Sequence, residues 1–171
     1  MNEDASGRIW IGTQCGLVSV SNGQYRIEDR LIHFTSSLSY KDDMYFLTAD
    51  GDIYYYQEAT QKMQKLASLA TVAGATSPTG NFLLKDKWVI LTTTGVYTYK
   101  FATGEMAADL RLNIKKGELI RDNRGDYWIY NHTGRLTYVL AETGESKDFQ
   151  LIPQDKISYI CLLYTSPSPR D

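Results

Sequence analysis

Apolar and aromatic residues in this chain fall in short runs rather than at helical spacing. Runs rich in Trp, Tyr, Ile, Val and Thr alternate with Gly, Asp and Asn, the pattern of half-buried strands separated by tight turns. The pattern predicts an all-β chain. Only residues 59–70 carry helix-like intervals, at Met63, Leu66, Ala67 and Ala70, and their neighbours read as a hairpin turn and strand instead.

The strands recur. Four nine-residue segments, 9–17, 44–52, 88–96 and 127–135, align without gaps, each with a glycine six residues after Trp10, Tyr45, Val89 or Trp128. The offsets between these anchors are 35, 44 and 39 residues. Each unit reads as an apolar strand, a turn whose glycine (Gly16, Gly51, Gly95 or Gly134) can take φ > 0, and a second strand at 17–20, 53–56, 96–101 or 136–140. The predicted hairpins therefore lie near 9–20, 44–56, 88–101 and 127–140. Further turn signals follow at Asn22-Gly23, 59–62, 102–105 and 142–145, then a third strand, as at 107–112 or 147–152, and a fourth before the next hairpin.

Four short antiparallel strands per period of about 40 residues is the sequence signature of a β-propeller blade. A β-sandwich with accidentally similar hairpins would not keep the anchor-to-glycine interval constant. The fold class predicted is thus a partial β-propeller of about four blades, each a four-stranded antiparallel sheet.

Two hairpins are preceded by a shared D-x-x-G-x-x-W-I pattern, formed by Asp4, Gly7 and Trp10 and again by Asp122, Gly125 and Trp128. An Asp opening a turn can cap backbone amides, the Gly takes the left-handed position, and the Trp enters the strand to pack between blades. The motif reads as structural rather than catalytic.

Residues 3–17, running Glu-Asp-Ala-Ser-Gly-Arg-Ile-Trp-Ile-Gly-Thr-Gln-Cys-Gly-Leu, resemble the two-component-regulator propeller repeat, E-D-x-x-G-x-L/I-W-I/F-G-T-x-x-G-L. The fourth unit departs at Tyr130, Asn131 and Arg135, and the second and third keep only the spacing. The resemblance implies a ligand-sensing propeller of a hybrid two-component receptor, periplasmic, anchored in the inner membrane through a parent chain, and often responsive to glycans in gut Bacteroidota. Its implied partners are the remaining blades and domains of the parent, which would carry the histidine kinase, and an oligosaccharide ligand. It implies no cofactor. Two other readings stay open: part of a propeller enzyme, such as a glycan lyase, hydrolase or quinoprotein, and a non-catalytic interaction scaffold.

A seven-bladed ring of such units needs about 280 residues, so the 171 residues here read as a piece of one, spanning 1–160. Met1 falls inside the D-x-x-G-x-x-W turn, where the preceding strand is expected already to have been made. Residues 155–160 read as the opening of a fifth blade, and 161–171 as a non-native tail resembling translated adapter sequence. An open stack of blades is expected to expose an apolar face and to be prone to aggregation.

Composition narrows the function classes. Eighteen basic against 20 acidic side chains, interspersed, give no footprint for nucleic acid or anionic lipid. Cys15 and Cys161 make no zinc spacing and no disulfide framework. No apolar run approaches the roughly 18 residues of a membrane helix, and no export signal is present on the chain as given. The acid pairs Glu3/Asp4, Glu28/Asp29 and Asp42/Asp43 sit at turns or strand ends, where neighbours point to opposite faces, so no catalytic pair is predicted. Asp50-Gly51-Asp52 reads as a hairpin turn rather than a Ca²⁺ loop, and His33 and His132 have no companion ligand for a metal. Asn131-His132-Thr133 is formally a glycosylation sequon, placed in a tight hairpin. The 13 tyrosines, among them Tyr54, Tyr55, Tyr56, Tyr97 and Tyr99, are expected mostly to pack between blades, although some could stack on a sugar ring.

Overall fold

The computed structural model describes residues 1–14, 16–74, 76–109, 118–130 and 134–150. Cys15, the sequon, the opening of the expected fifth blade and the expected tail lie outside the described residues, as do the ends of the third strands expected at 107–112 and 147–152.

Among the described residues, sixteen strands form four four-stranded sheets, each an antiparallel meander in sequence order. The first contains β1 (Asn2–Glu3), β2 (Ile9–Thr13), β3 (Gly16–Ser21) and β4 (Gln24–Asp29). The second contains β5 (Phe34–Tyr40), β6 (Asp43–Thr48), β7 (Asp52–Gln57) and β8 (Lys62–Ser68). A single helical turn, α1 (Ala70–Ala73), leads to the third: β9 (Pro78–Leu84), β10 (Lys87–Thr92), β11 (Val96–Lys100) and β12 (Glu105–Ala108). The fourth is β13 (Glu118–Arg121), β14 (Tyr127–Tyr130), β15 (Arg135–Val139) and β16 (Ser146–Gln150). Neighbouring sheets meet with β1 and β2 beside β5, β9 beside β13, β4 beside β8 and β8 beside β12. This radial order is that of a partial propeller, and the sheets are called blades below.

β2 pairs with β3, β6 with β7, β10 with β11 and β14 with β15, the anchors facing Ser19, Tyr55, Thr98 and Tyr138. Residues 62–68 are strand, as their neighbours indicated, and the helical turn begins at Ala70. Asn22-Gly23 turns β3 into β4 with φ of 51° and 74°, the left-handed pair that matches the twist of a hairpin. One expectation needs correcting. The strand expected to be missing ahead of the first hairpin is present as the two-residue β1, in which Asn2 pairs with Trp10 and Glu3 with Ile9.

Period-two alternation divides the apolar residues among three inter-blade cores. Trp10, Leu17, Phe34, Met44, Phe46 and Tyr56 fill the first, between blades one and two. Leu47, Ile53 and Leu69 meet Trp88, Ile90, Tyr97 and Tyr99 in the second. Val89 and Leu91 meet Tyr127, Ile129 and Val139 in the third. A middle blade is covered on both faces, which is why Trp88-Val89-Ile90-Leu91 runs apolar without interruption and is at most 1% exposed. Each large side chain so buried contributes on the order of 2–3 kcal/mol.

Candidate functional site

The D-x-x-G-x-x-W motif forms the same device twice. Asp4 Oδ1 accepts the Ser6 and Arg8 amides at 2.9 and 3.0 Å, and Oδ2 accepts the Trp10 indole N–H at 2.8 Å. In the fourth blade Asp122 Oδ1 accepts the Arg124 and Asp126 amides at 2.9 and 3.0 Å, and Oδ2 the Trp128 indole at 3.0 Å. Gly7 and Gly125, with φ of 79° and 89°, each donate 3.0 Å to the carbonyl of the motif Asp. Burial would raise the Asp4 pKa, but its bonds from Ser6, Trp10 and Arg8 outweigh that and hold it below the ordinary carboxylate value. Trp10 wedges against Phe46 and Tyr56 of the second blade, with ring centroids 5.1 and 4.6 Å away. Trp128 packs on Tyr138 of its own sheet at 4.5 Å.

The hairpin glycines divide. Gly16 and Gly51 take φ of 129° and 80°, and Gly134 takes 79°. Gly95 does not adopt a left-handed backbone. Its turn is held by Thr92, whose hydroxyl donates to the Gly95 carbonyl at 2.9 Å and accepts the Gly95 and Thr94 amides at 3.1 and 3.2 Å. Thr13 and Thr48 occupy the same place in their units: the Thr13 hydroxyl donates to the Gly16 carbonyl at 2.9 Å, and that of Thr48 accepts the Asp52 amide at 2.9 Å. The signal was a threonine three residues after each of the first three anchors.

A polar cluster lies at the junction between blades one and two. The Arg8 guanidinium sits 5.3 Å from the Trp10 ring and 5.4 Å from that of Tyr56, and donates to Glu58 Oε1 at 2.6 Å. That bond, with the charge of Glu58, raises the Arg8 pKa against its burial. A cavity of about 210 Å³ opens beside it, lined by Asp4, Ser6, Trp10, Asp42, Tyr56 and Glu58, among others. A second, of about 240 Å³, is lined by Arg8, Ser19, Arg26, Glu28 and Gln61, among others. The Glu28 side chain is 2% exposed, accepts the Ser19 hydroxyl at 2.6 Å and pairs with Arg26 at 3.3 Å. The Tyr56 hydroxyl is buried without a hydrogen-bond partner among the described residues, and burial, then the Glu28 and Glu58 charges, raises its pKa. Such a cluster can hold a polar ligand by hydrogen bonds.

Of the acid pairs, Asp4, Asp42 and Asp43 line the first cavity together, while Glu28 and Asp29 take separate partners. Glu28 turns toward Ser19, while Asp29 caps the Leu31 and Ile32 amides, both at 2.8 Å. Asp43 accepts the Tyr55 hydroxyl at 3.2 Å, and Asp52 binds Lys65 and Ser68 at 2.6 and 2.5 Å. His33 is exposed. Among the described residues no three His, Cys, Asp or Glu side chains stand close enough together to hold a metal. Tyr56, Tyr97 and Tyr99 are buried between blades, as their strand positions predicted.

No protein-family model matches the chain, and no curated protein does. Solved structures do. The extracellular domain assigned to a hybrid two-component system of B. thetaiotaomicron aligns over 86% of this chain, with TM-score 0.62 and 21% identity. A second such domain from that organism aligns over 98%, with TM-score 0.57 and 18% identity. PorZ, a surface component of the type-IX secretion system of Porphyromonas gingivalis, aligns over 84%, with TM-score 0.59 and 16% identity. The chain spans 21%, 22% and 20% of those proteins, so each likeness is of a few blades to part of a much longer chain. At these identities the likeness establishes a shared fold of repeated antiparallel sheets.

Proposed function

We propose that the chain is a segment of the extracellular sensor propeller of a two-component receptor and contributes blades to a ligand-binding ring. The observation that carries this reading is the Asp4–Trp10 turn, whose two backbone-amide bonds and indole bond recur at Asp122–Trp128, inside the repeat that resembles the two-component-regulator propeller. The extracellular domains from B. thetaiotaomicron support it in kind. In this reading the parent lies in the periplasm, is anchored in the inner membrane, and converts binding of an oligosaccharide into a change of domain geometry that a histidine kinase reads. These blades supply walls and loops, and no covalent step is asked of them.

The likeness to PorZ favours one other reading, a surface scaffold without a kinase. Sequencing the locus across both ends of this frame, joined to a transcriptional reporter driven by the intact gene, separates the two. The sensor reading expects further blades, one membrane helix, a histidine kinase and induction by one class of oligosaccharide. A gene with blades but no kinase, and a reporter silent to every glycan, rejects it in favour of the scaffold.

A further inference from the structure

We propose that the first cavity at the junction of blades one and two binds a small amino alcohol, of the kind a free amino sugar provides, and holds it by its primary ammonium. The cavity measures about 210 Å³, below the roughly 300 Å³ at which sites for drug-sized ligands begin, so its occupant is a single ring or smaller. Four carboxylates line it, those of Asp4, Asp42, Asp43 and Glu58, and no Lys, Arg or His does. Asp4 is engaged by its turn and Glu58 by Arg8, whereas neither Asp42 nor Asp43 is ion-paired among the described residues. Two carboxylates without counterions on a concave wall attract a cation. Among the described residues no three acids stand close enough together to share a metal ion, so the complement is an organic cation that spreads its charge over several N–H donors, as a primary ammonium does.

Tyr56 supplies a second, independent observation. It lines the same cavity, is 5% exposed, and its hydroxyl has no partner among the described residues. A buried hydroxyl left without a partner is unfavourable, and a phenol can accept one hydrogen bond and donate another. It can therefore take an N–H from an ammonium and give its own proton to a ligand hydroxyl, while the carboxylates can only accept. A plain sugar would satisfy the phenol and leave Asp42 and Asp43 without a counter-charge. The phenol is shielded from water, with the Arg8 guanidinium 5.4 Å from the ring centroid. Glu58, which holds Arg8, has a side chain 65% exposed, and an ion pair so placed is weak, so an entering ammonium can exchange with Arg8 on Glu58 and uncover the hydroxyl. The site uses blades one and two alone and stands or falls apart from the sensor reading.

The test is calorimetric titration of the full 171-residue chain with glucosamine, glucose and N-acetylglucosamine. Glucosamine should bind one-to-one and about tenfold or more tighter than the other two, which lack the charge. The double variant Asp42→Asn, Asp43→Asn changes two exposed turn residues and should weaken glucosamine about fivefold. Tyr56→Phe should weaken it about tenfold without lowering the Tm, since it removes only an unpaired hydroxyl. Equal binding of glucose overturns the proposal, because the cavity would then read hydroxyls rather than charge. So does glucosamine binding that Tyr56→Phe leaves unchanged, which would put the phenol outside the site, or the absence of binding by the folded chain at millimolar glucosamine.

Discussion

Trp10 and Asp4 are joined through the indole N–H at 2.8 Å, and this one bond fixes both the turn that opens the blade and the wedge that closes it against the next. The carboxylate that receives the indole also holds two backbone amides and the Ser6 hydroxyl, the latter at 2.6 Å. Truncating it strands a buried N–H beside Phe46 and Tyr56. Asp4→Ala should therefore cost about 2–3 kcal/mol. Asp122→Ala should cost about 1 kcal/mol, since Trp128 is only half-buried and water can replace the acceptor. Urea denaturation of the two variants checks the order, and equal costs would mean that the depth of the tryptophan does not matter.

Acid should weaken the fold through the same group. Hydrogen bonds hold Asp4 below its ordinary value in spite of burial, and the Arg135 guanidinium with the Thr137 hydroxyl does the same for Asp148. A carboxylate whose pKa is depressed by folding contributes stability that is present above its unfolded pKa of about 3.9 and lost as pH falls through the folded value. Stability should decline below about pH 4, and the double variant Asp4→Asn, Asp148→Asn should show a shallower decline with a lower plateau at neutral pH. Denaturation midpoints across that range give the comparison, and an unchanged slope would remove these two carboxylates from the acid response.

The constant interval from anchor to glycine made the blades legible, because a hairpin ties strand register to turn length and both are local in the chain. The faces were legible for the same reason: Trp88, Ile90 and Val89, Leu91 alternate between two cores as period-two spacing requires. Bonds that depend on cross-strand register were not. The Trp88 indole donates to Asn81 Oδ1 at 3.0 Å, seven residues back on the neighbouring strand, in a unit that has no D-x-x-G turn to announce it. Nor could spacing show that Arg8 reaches Glu58, 50 residues on, since that contact exists only once two blades are stacked. The polar junction was thus hidden among residues that each read as an ordinary turn or strand end.

Two glycines separate backbone strain from collision. A Cβ on Gly51, at φ 80°, would lie 2.4 Å from Leu69 Cδ1 and 2.8 Å from its Cβ, and Leu69 is fully buried. A Cβ on Gly23, at φ 74°, meets nothing within 4 Å. Gly23→Ala should cost only the left-handed strain, about 1 kcal/mol, whereas Gly51→Ala should cost about 2–4 kcal/mol. Thermal denaturation distinguishes them, and matching losses would show that Leu69 yields.

Base should act on the second inter-blade core. Burial first, then the nearby charge of Asp43, pushes the Tyr45 phenol up to about 12. The unfolded chain ionises its tyrosines near about pH 10, so the stability that the neutral phenol contributes is complete below that value and drains away as pH rises from about 10 toward about 12. Tyr54, Tyr56, Tyr99 and Tyr127 are shifted in the same direction, chiefly by burial, so the loss is shared. Tyr45→Phe should leave stability at pH 7 nearly unchanged and retain more of it than the parent chain at about pH 11. Denaturation midpoints at the two pH values measure the difference. If the variant and the parent lose the same amount, the Tyr45 phenol is reaching water and the packing of Tyr40, Tyr45 and Phe101 between blades two and three is looser than its ring separations of 4.1 and 4.7 Å require.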